Sequence, residues 1–338
     1  MRGIFVALWN FFGGDMNKLK PGVPIILALA VLTAVTFGAL FRGDVFAAQQ
    51  GSSADRPTVQ VTVSAEARHG VELPVVNRDD VTVTEGRDRD PVVGWIPALG
   101  DHAGLELLIL VDDGSSLDLA SHFAEIRAFL QKQPAATQIA VGYMRFGMVE
   151  MRQDFTTDRV AAGKAFRVPM GVTGASASPY FTLQDLTKHW PMNSARPRHE
   201  ILMLTNGVDP DYPGGANDPY VTEAIGDLQR VGVVVYSIYE PGAGHAGHAF
   251  WRINWGQSYL SQLCDETGGE SYYIGSAPAV AFAPYLDELS RQLQHQFLLT
   301  FAPKPRGQAG LQPVRISTEV SNVDLVAADK VYVPASSE

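Results

Sequence analysis

The sequence predicts an α/β fold built on a doubly wound, mostly parallel sheet, and three observations carry that prediction. Apolar runs at 105–111, 199–205 and 232–239 have the length of strands, and the last is nearly continuous Val, Ile and Tyr, as a strand buried on both faces requires. Segments with apolar residues at helical spacing lie between and after these runs. Strands and helices alternating in this rhythm pack as a parallel sheet with helices on both faces.

Ahead of that rhythm lies an export segment. Residues 23–41 are uncharged and apolar, follow Lys18 and Lys20, and precede Val45-Phe46-Ala47, where small residues suit a signal peptidase. The stretch is also long enough to span a bilayer. Residues 1–48 therefore read as a signal peptide or an N-terminal membrane anchor. Both readings keep the basic residues inside and carry the body of the chain out of the cytoplasm. The expected location is extracytoplasmic: periplasmic or secreted, or held at the inner membrane by residues 23–41. If uncleaved, this segment makes the membrane a partner.

Residues 49–58 form a polar linker. Residues 59–65 and 81–85 alternate apolar and polar, the period of a half-buried strand, and 91–96 supply a third strand. Together 59–100 make an N-terminal β module. The α/β domain spans 104–296. Its first strand, 105–111, leads to a helix over 117–132 with Leu119, Phe123, Ile126 and Leu130 near helical spacing. Strands 139–146 and 149–155 follow, joined by a tight turn at Gly147. Short helices are expected at 158–166 and 180–190, a strand at 199–205, a helix at 220–231 and a strand at 232–239. Residues 248–255 lack a convincing amphipathic pattern. Helix 258–267, strand 270–274 and helix 284–295 complete the domain. Strand-like segments at 297–301, 314–319, 323–326 and 330–333 form a C-terminal β extension over 297–334. The two chain ends are expected to build one small β module beside the core.

Composition narrows the function. The 338 residues carry a formal net charge of −10, which argues against a nucleic-acid binder needing a basic footprint. One cysteine, Cys264, excludes an internal disulfide and reads as a small buried hydrophobe.

The densest chemistry stands at the end of the first core strand, in Asp112-Asp113-Gly114-Ser115-Ser116. An acidic, Gly/Ser-rich turn there lies at the carboxyl edge where open α/β sheets bind ligands. Carboxylate and hydroxyl oxygens suit Mg²⁺ or Ca²⁺. The turn resembles the Asp-x-Ser-x-Ser metal-adhesion motif of von Willebrand factor type A (VWA) domains, with Gly114 where the first serine would stand. Gly171-Val172-Thr173-Gly174 resembles that family's loop threonine, and Leu204-Thr205-Asn206-Gly207 its Leu-Thr-Asp-Gly turn. The resemblance thus implies a VWA/Rossmann-like fold and a degenerate metal site of Asp112, Ser116, Thr173 and Asn206. Gly114 removes one hydroxyl, and Asn206 offers a neutral carbonyl where a carboxylate is usual. Asp113 and Asp209 are nearby carboxylates outside the standard positions. Segments 59–95, 249–255, 263–270 and 296–301 through Tyr332 further resemble a bacterial exported group of VWA-related proteins with β extensions.

One competing motif exists. Gly242-Ala243-Gly244-His245-Ala246-Gly247 fits G-x-G-x-x-G after a strand, with Asp265 and Glu266 near the distance of a ribose-binding acid. Pro241 interrupts its junction, and the strand comes late in the order. His245 and His248 lack a third defined zinc ligand. The expectation is a non-enzymatic extracytoplasmic protein that binds a protein ligand through the degenerate metal site. A nucleotide-dependent oxidoreductase using the 242–247 turn and a metal-free structural envelope scaffold are the alternatives.

Overall fold

The structure is a computed structural model that describes residues 57–68, 72–171, 178–191, 194, 196–212, 214–243, 249–272, 275 and 277–335. Residues 1–48, which the sequence leads one to expect as a signal peptide or membrane anchor, and all but the last two residues of the 49–58 linker lie outside these. Among the described residues, no helix is long and apolar enough to cross a membrane.

The core is a five-stranded sheet in the order β7-β6-β5-β8-β9. Its strands are β5 (Leu105–Asp112), β6 (Thr137–Arg145), β7 (Met148–Thr156), β8 (Arg198–Thr205) and β9 (Val233–Tyr239). β5 pairs in parallel with β6 and β8, and β8 with β9. Only β7 runs antiparallel, as the second arm of a hairpin. Its two-residue turn places Phe146 at φ 52° and Gly147 at φ 76°, the positive pair that matches strand twist in tight hairpins.

Period two divides the core strands between two apolar layers. Leu105, Leu107, Ile109 and Val111 of β5 face α1 (Phe123–Lys132) and α6 (Ala283–Gln294). Leu108 and Leu110 face α3 (Pro179–Thr187), α4 (Pro219–Val231) and α5 (Phe250–Thr267). The short α2 (Arg159–Lys164) is capped by Asp158, whose carboxylate accepts from the N–H groups of Val160 and Ala161. The mixed α/β core with its mostly parallel sheet is as the sequence predicts.

Three local expectations need correction. Segment 117–132 opens as a 3-10 helix over Leu117–His122 and becomes α-helical only at Phe123. Helix α5 starts at Phe250, eight residues before the apolar pattern suggests. Ile253 and Gly256 are its first buried residues, so its opening turns hide too few side chains to write a strong stripe. Residues 270–274 give an isolated parallel bridge, Ser271 on Ser237, in place of a strand; 273–274 lie outside the described residues.

Strands from both ends of the chain flank this core. β1 (Val59–Ala67) pairs with β10 (Gln296–Phe301) and β13 (Val323–Val326), while β4 (Val92–Pro97) pairs with β10. β2 (Val81–Glu85) pairs with β3 (Asp88–Asp90) and β12 (Arg315–Thr318). β11 (Gly310–Pro313) pairs with β14 (Lys330–Val333). β3 and β11 carry too little alternation to be read from sequence. All of these strands except β3 and β11 form or pack against one apolar cluster containing Val63, Val83, Leu299, Phe301 and Val333.

A buried polar set joins this layer to the core. Arg198 donates to the carbonyls of Leu293 (3.0 Å) and Ala103 (2.9 Å) and to Gln296 Oε1 (2.5 Å). Gln296 in turn donates to the hydroxyl of Tyr236 at 3.0 Å. Burial pushes the Glu200 carboxyl above its ordinary value, against the pull of Arg198. Removing one member of such a set leaves the others buried and unpaired. Arg198→Ala is therefore expected to lower the urea unfolding free energy by about 3–5 kcal/mol, and Arg198→Lys, lacking the planar fork, to recover little of it.

Candidate functional site

Four parallel strands end together, so 112–118, 145–148, 205–209 and 240–243 meet at one edge of the sheet. Asp112 is the last residue of β5 and points to the α3/α4/α5 side, as its even position in the strand dictates. Its Oδ2 accepts from Thr205 Oγ1 at 2.7 Å, and its Oδ1 from the Gly114 N–H at 2.8 Å. Burial raises its pKa, the two hydrogen bonds counter that, and the outcome is a rise.

The next carboxylate turns the other way. Asp113 is wholly buried and takes Arg167 on both oxygens, at 2.5 and 3.0 Å. The Met170 N–H adds a bond at 2.9 Å, and the Asp113 carbonyl accepts from Gly171 at 3.1 Å. Burial alone would push this carboxyl up; Arg167 and Met170 outweigh it and hold the pKa below its ordinary value. Asp113 thus clamps the 167–171 segment to the edge.

Two of the remaining sequence-derived ligands, Ser116 and Asn206, are engaged within the protein. Ser116 caps the 3-10 helix, its Oγ accepting from the Asp118 N–H at 3.2 Å and donating to Asp118 Oδ2 at 3.2 Å. Asn206 Oδ1 accepts from the Val208 N–H at 2.8 Å, folding the side chain over its own turn. The neighbour that meets Asp112 is therefore Thr205. Thr173 lies outside the described residues. Asp209 accepts from Ser178 Oγ at 2.6 Å and from the Asp211 N–H at 2.7 Å. Ser115 is wholly buried, and its Oγ has no hydrogen-bond partner among the described residues.

Helix α5 packs close against the 206–208 turn. A Cβ on Gly256 would stand 2.2 Å from the Asn206 carbonyl oxygen, and one on Gly207 2.5 Å from the Gly256 carbonyl oxygen. Gly207 also has φ +66°, which favours glycine. Two glycines therefore set the depth of this part of the edge.

Glu240 was not singled out by sequence, although a carboxylate directly after a buried strand repeats the logic of Asp112. Its side chain is wholly buried, and neither carboxylate oxygen has a hydrogen-bond partner among the described residues. By strand alternation it lies on the α1/α6 side, opposite Asp112. Burial, reinforced by the nearby charge of Asp118, pushes its pKa up to about 8.

The glycine-rich turn is built into the same edge. Gly242 bridges Ser115, Ala243 N–H donates to Gly114 O at 2.9 Å, and Ser116 N–H to Pro241 O at 2.9 Å. Gly244, His245, Ala246, Gly247 and His248 lie outside the described residues. A helix does follow the turn, contrary to the sequence reading. Asp265 and Glu266, however, sit at the far end of α5, roughly 22 Å along its axis from Phe250. They are not placed to hold a ribose bound at the turn. Cys264 is wholly buried, and burial pushes its thiol up to about 12, so it stays protonated.

Large apolar side chains are exposed around this edge. Leu117 lies over Gly171, whose added Cβ would stand 3.1 Å from it. Phe146 and Met148 project from the β6–β7 turn, and Met170 from the segment clamped by Asp113. Phe250, 71% exposed, and Trp251 open helix α5. Trp251 lies against Gly214 and carries the Arg252 guanidinium 4.9 Å from its ring centre.

As a cation site the described part of the edge is a poor fit. Of the four residues named from sequence, only Asp112 is a carboxylate, and both its oxygens already accept hydrogen bonds. Among the described residues, no group of three or more His, Cys, Asp or Glu side chains is arranged to hold a metal ion.

No family model matches the chain, and no curated protein matches it by sequence. Solved structures similar to it include VWA domains. An aerotolerance-related membrane protein from Bacteroides fragilis is 12% identical, covering 56% of this chain and 98% of that one, with TM-score 0.42. BatB from Bacteroides thetaiotaomicron is 13% identical over 56% and 97%, with TM-score 0.41. The SpRpn10 VWA domain is 12% identical over 56% and 96%, with TM-score 0.36.

Two outcomes test the site's internal wiring. Arg167→Ala leaves Asp113 buried and unpaired, so urea unfolding should show a loss of about 3 kcal/mol. Glu240 ionises near 4.3 in the unfolded chain and at about 8 when folded. Between these values the folded state keeps a proton that the unfolded state has released. The stability tied to that proton is whole below the lower value and is lost as pH rises through about 8. Glu240→Gln should therefore melt progressively higher than the unaltered protein from pH 6 to 9, the gap closing toward pH 5.

Proposed function

We propose that this chain is a non-enzymatic, extracytoplasmic protein of VWA fold that binds a protein partner through the loop-bearing edge of its sheet. The observation that carries the reading is the set of exposed apolar side chains there: Leu117, Phe146, Met148, Met170, Phe250 and Trp251. Aromatic and methionine side chains are enriched at protein interfaces, and solvent-exposed apolar clusters mark contact surfaces. Their supports are fixed by Asp113, Arg167 and the 206–208 turn, so the surface is organised before a partner arrives. Location outside the cytoplasm rests on the export segment at 1–48.

Contact at this edge needs no cation. Mg²⁺ or Ca²⁺ on Asp112, Ser116, Thr173 and Asn206 would have a single negative charge among its protein ligands, where carboxylate count governs affinity. Asp112 serves instead to join β5 to β8 through Thr205. A scaffold role in the envelope, with no contact at the edge, differs in one respect: changes at the apolar side chains would then leave partner capture intact.

The test uses the full chain in detergent, immobilised and exposed to envelope extract. The double variant Phe146→Ser, Phe250→Ser should lose a retained protein that the unaltered chain and Tyr332→Ser both keep, and a chelator should change nothing. Calorimetry with Mg²⁺, Ca²⁺ and Mn²⁺ should give no saturable heat. Heat that disappears in Asp112→Ala would restore the cation-dependent version, and equal capture by all variants would overturn the contact surface.

A further inference from the structure

A group of acids that takes no part in the contact edge lies where strand β1 passes the end of helix α6. It faces a cavity of about 730 Å³. Glu66, Glu72, Glu270 and Glu288 line it, with Arg291 and His295 as basic side chains. Arg291 is taken by Glu288. Glu66 and Glu270 enter no ion pair among the described residues.

These last two acids are tied to one nitrogen. Gln292, buried on α6, donates through Nε2 to Glu66 Oε1 at 2.8 Å and to Glu270 Oε2 at 2.7 Å. Its Oε1 accepts from the Tyr272 hydroxyl at 2.6 Å, which fixes the orientation of the amide. Each carboxylate takes one of the two amide protons, so the two stand side by side. Glu66 belongs to the flanking layer. Glu270 belongs to the core, where its carbonyl accepts from the Ser237 N–H of β9 at 3.0 Å.

The strand is lightly held at this point. β1 pairs with β10 only as far as Ser64. Over 65–67 its partners are β13 and, through the Ala65 N–H, the His295 carbonyl at 2.9 Å. Burial pushes the Glu66 carboxyl above its ordinary value, against the Gln292 bond, and the charges of Glu288 and Asp324 add to the rise. Asp324 is itself paired with Arg68. Burial also raises Glu270; the charge of Glu66 is the next cause, and Glu288 and Asp265 add to it against the Gln292 bond.

We propose that Glu66, Gln292 and Glu270 form a pH-sensitive brace between the flanking layer and the core, tight in acid and loosened as the medium turns neutral or alkaline. With either glutamate protonated, the amide holds both without repulsion. With both ionised, like charges oppose each other across one nitrogen, and the strain falls on the end of β1. Each carboxyl keeps its proton to higher pH in the folded chain than in the unfolded one. The stability tied to those protons is therefore whole below the ordinary glutamate value of about 4.3 and is lost as pH rises through the folded values. The brace does not depend on the proposed partner contact.

Hydrogen–deuterium exchange on the full chain in detergent tests this. The readout is the ratio of variant to unaltered exchange over 65–67, with β5 as the reference, at pH 4.5 and pH 8. Glu66→Gln and Glu270→Gln both keep an oxygen for the Gln292 amide. At pH 8 each should slow exchange over 65–67 by about fivefold, and at pH 4.5 neither should change it. The double variant should gain less than the two single variants together, because either change relieves the same repulsion. Should one single variant fail to fold, the other carries the test. Exchange unchanged or faster at pH 8, slowing of equal size at both pH values, or full additivity in the double variant would each overturn the proposal.

Discussion

The hydrogen bond from Thr205 to Asp112 is the contact around which the loop-bearing edge is arranged. It joins two adjacent parallel strands at the point where their backbone pairing stops, and it does so with a buried carboxylate. A carboxylate in that position must find donors, and it finds them in Thr205 and in the Gly114 N–H. The 112–116 turn is thereby closed from within. Gly114, lacking a hydroxyl, contributes its backbone instead of a side chain.

Strand alternation then decides what each carboxylate at the edge can do. Asp112 and Thr205 fall on the α3/α4/α5 side. Asp113 reaches Arg167, which reaches back from the chain beyond α2. Glu240 falls on the α1/α6 side and meets no donor there among the described residues. Three acidic residues within one edge thus have three different protonation behaviours. One is held up against two hydrogen bonds, one is held down by a guanidinium, and one is raised far enough to be largely neutral at pH 7.

The flanking layer imposes a second constraint. It is made from strands at both ends of the chain, and it meets the core through Arg198 and Gln296 as well as through apolar packing. At that meeting Arg198 is bonded through both terminal nitrogens, while its Nε has no hydrogen-bond partner among the described residues.

The sequence by itself determined the core: its alternating strands and helices, the hairpin at Gly147, and the turns at 112 and 206 that end adjacent strands. These are properties of local periodicity and turn chemistry, and they survive because two-sided burial of β5, β8 and β9 writes almost continuous apolar runs. The start of α5 was not legible because its first turn is largely exposed and carries no stripe. Which oxygen meets which donor was decided only by tertiary structure. Leu204-Thr205-Asn206-Gly207 contains both a hydroxyl and an amide that could have faced Asp112. Strand alternation turns Thr205 inward and leaves Asn206 to cap its own turn. Arg167 gave no local signal at all, because its partner lies 54 positions earlier in the chain. A pairing of that kind exists only once β5 and the chain following α2 have been brought together.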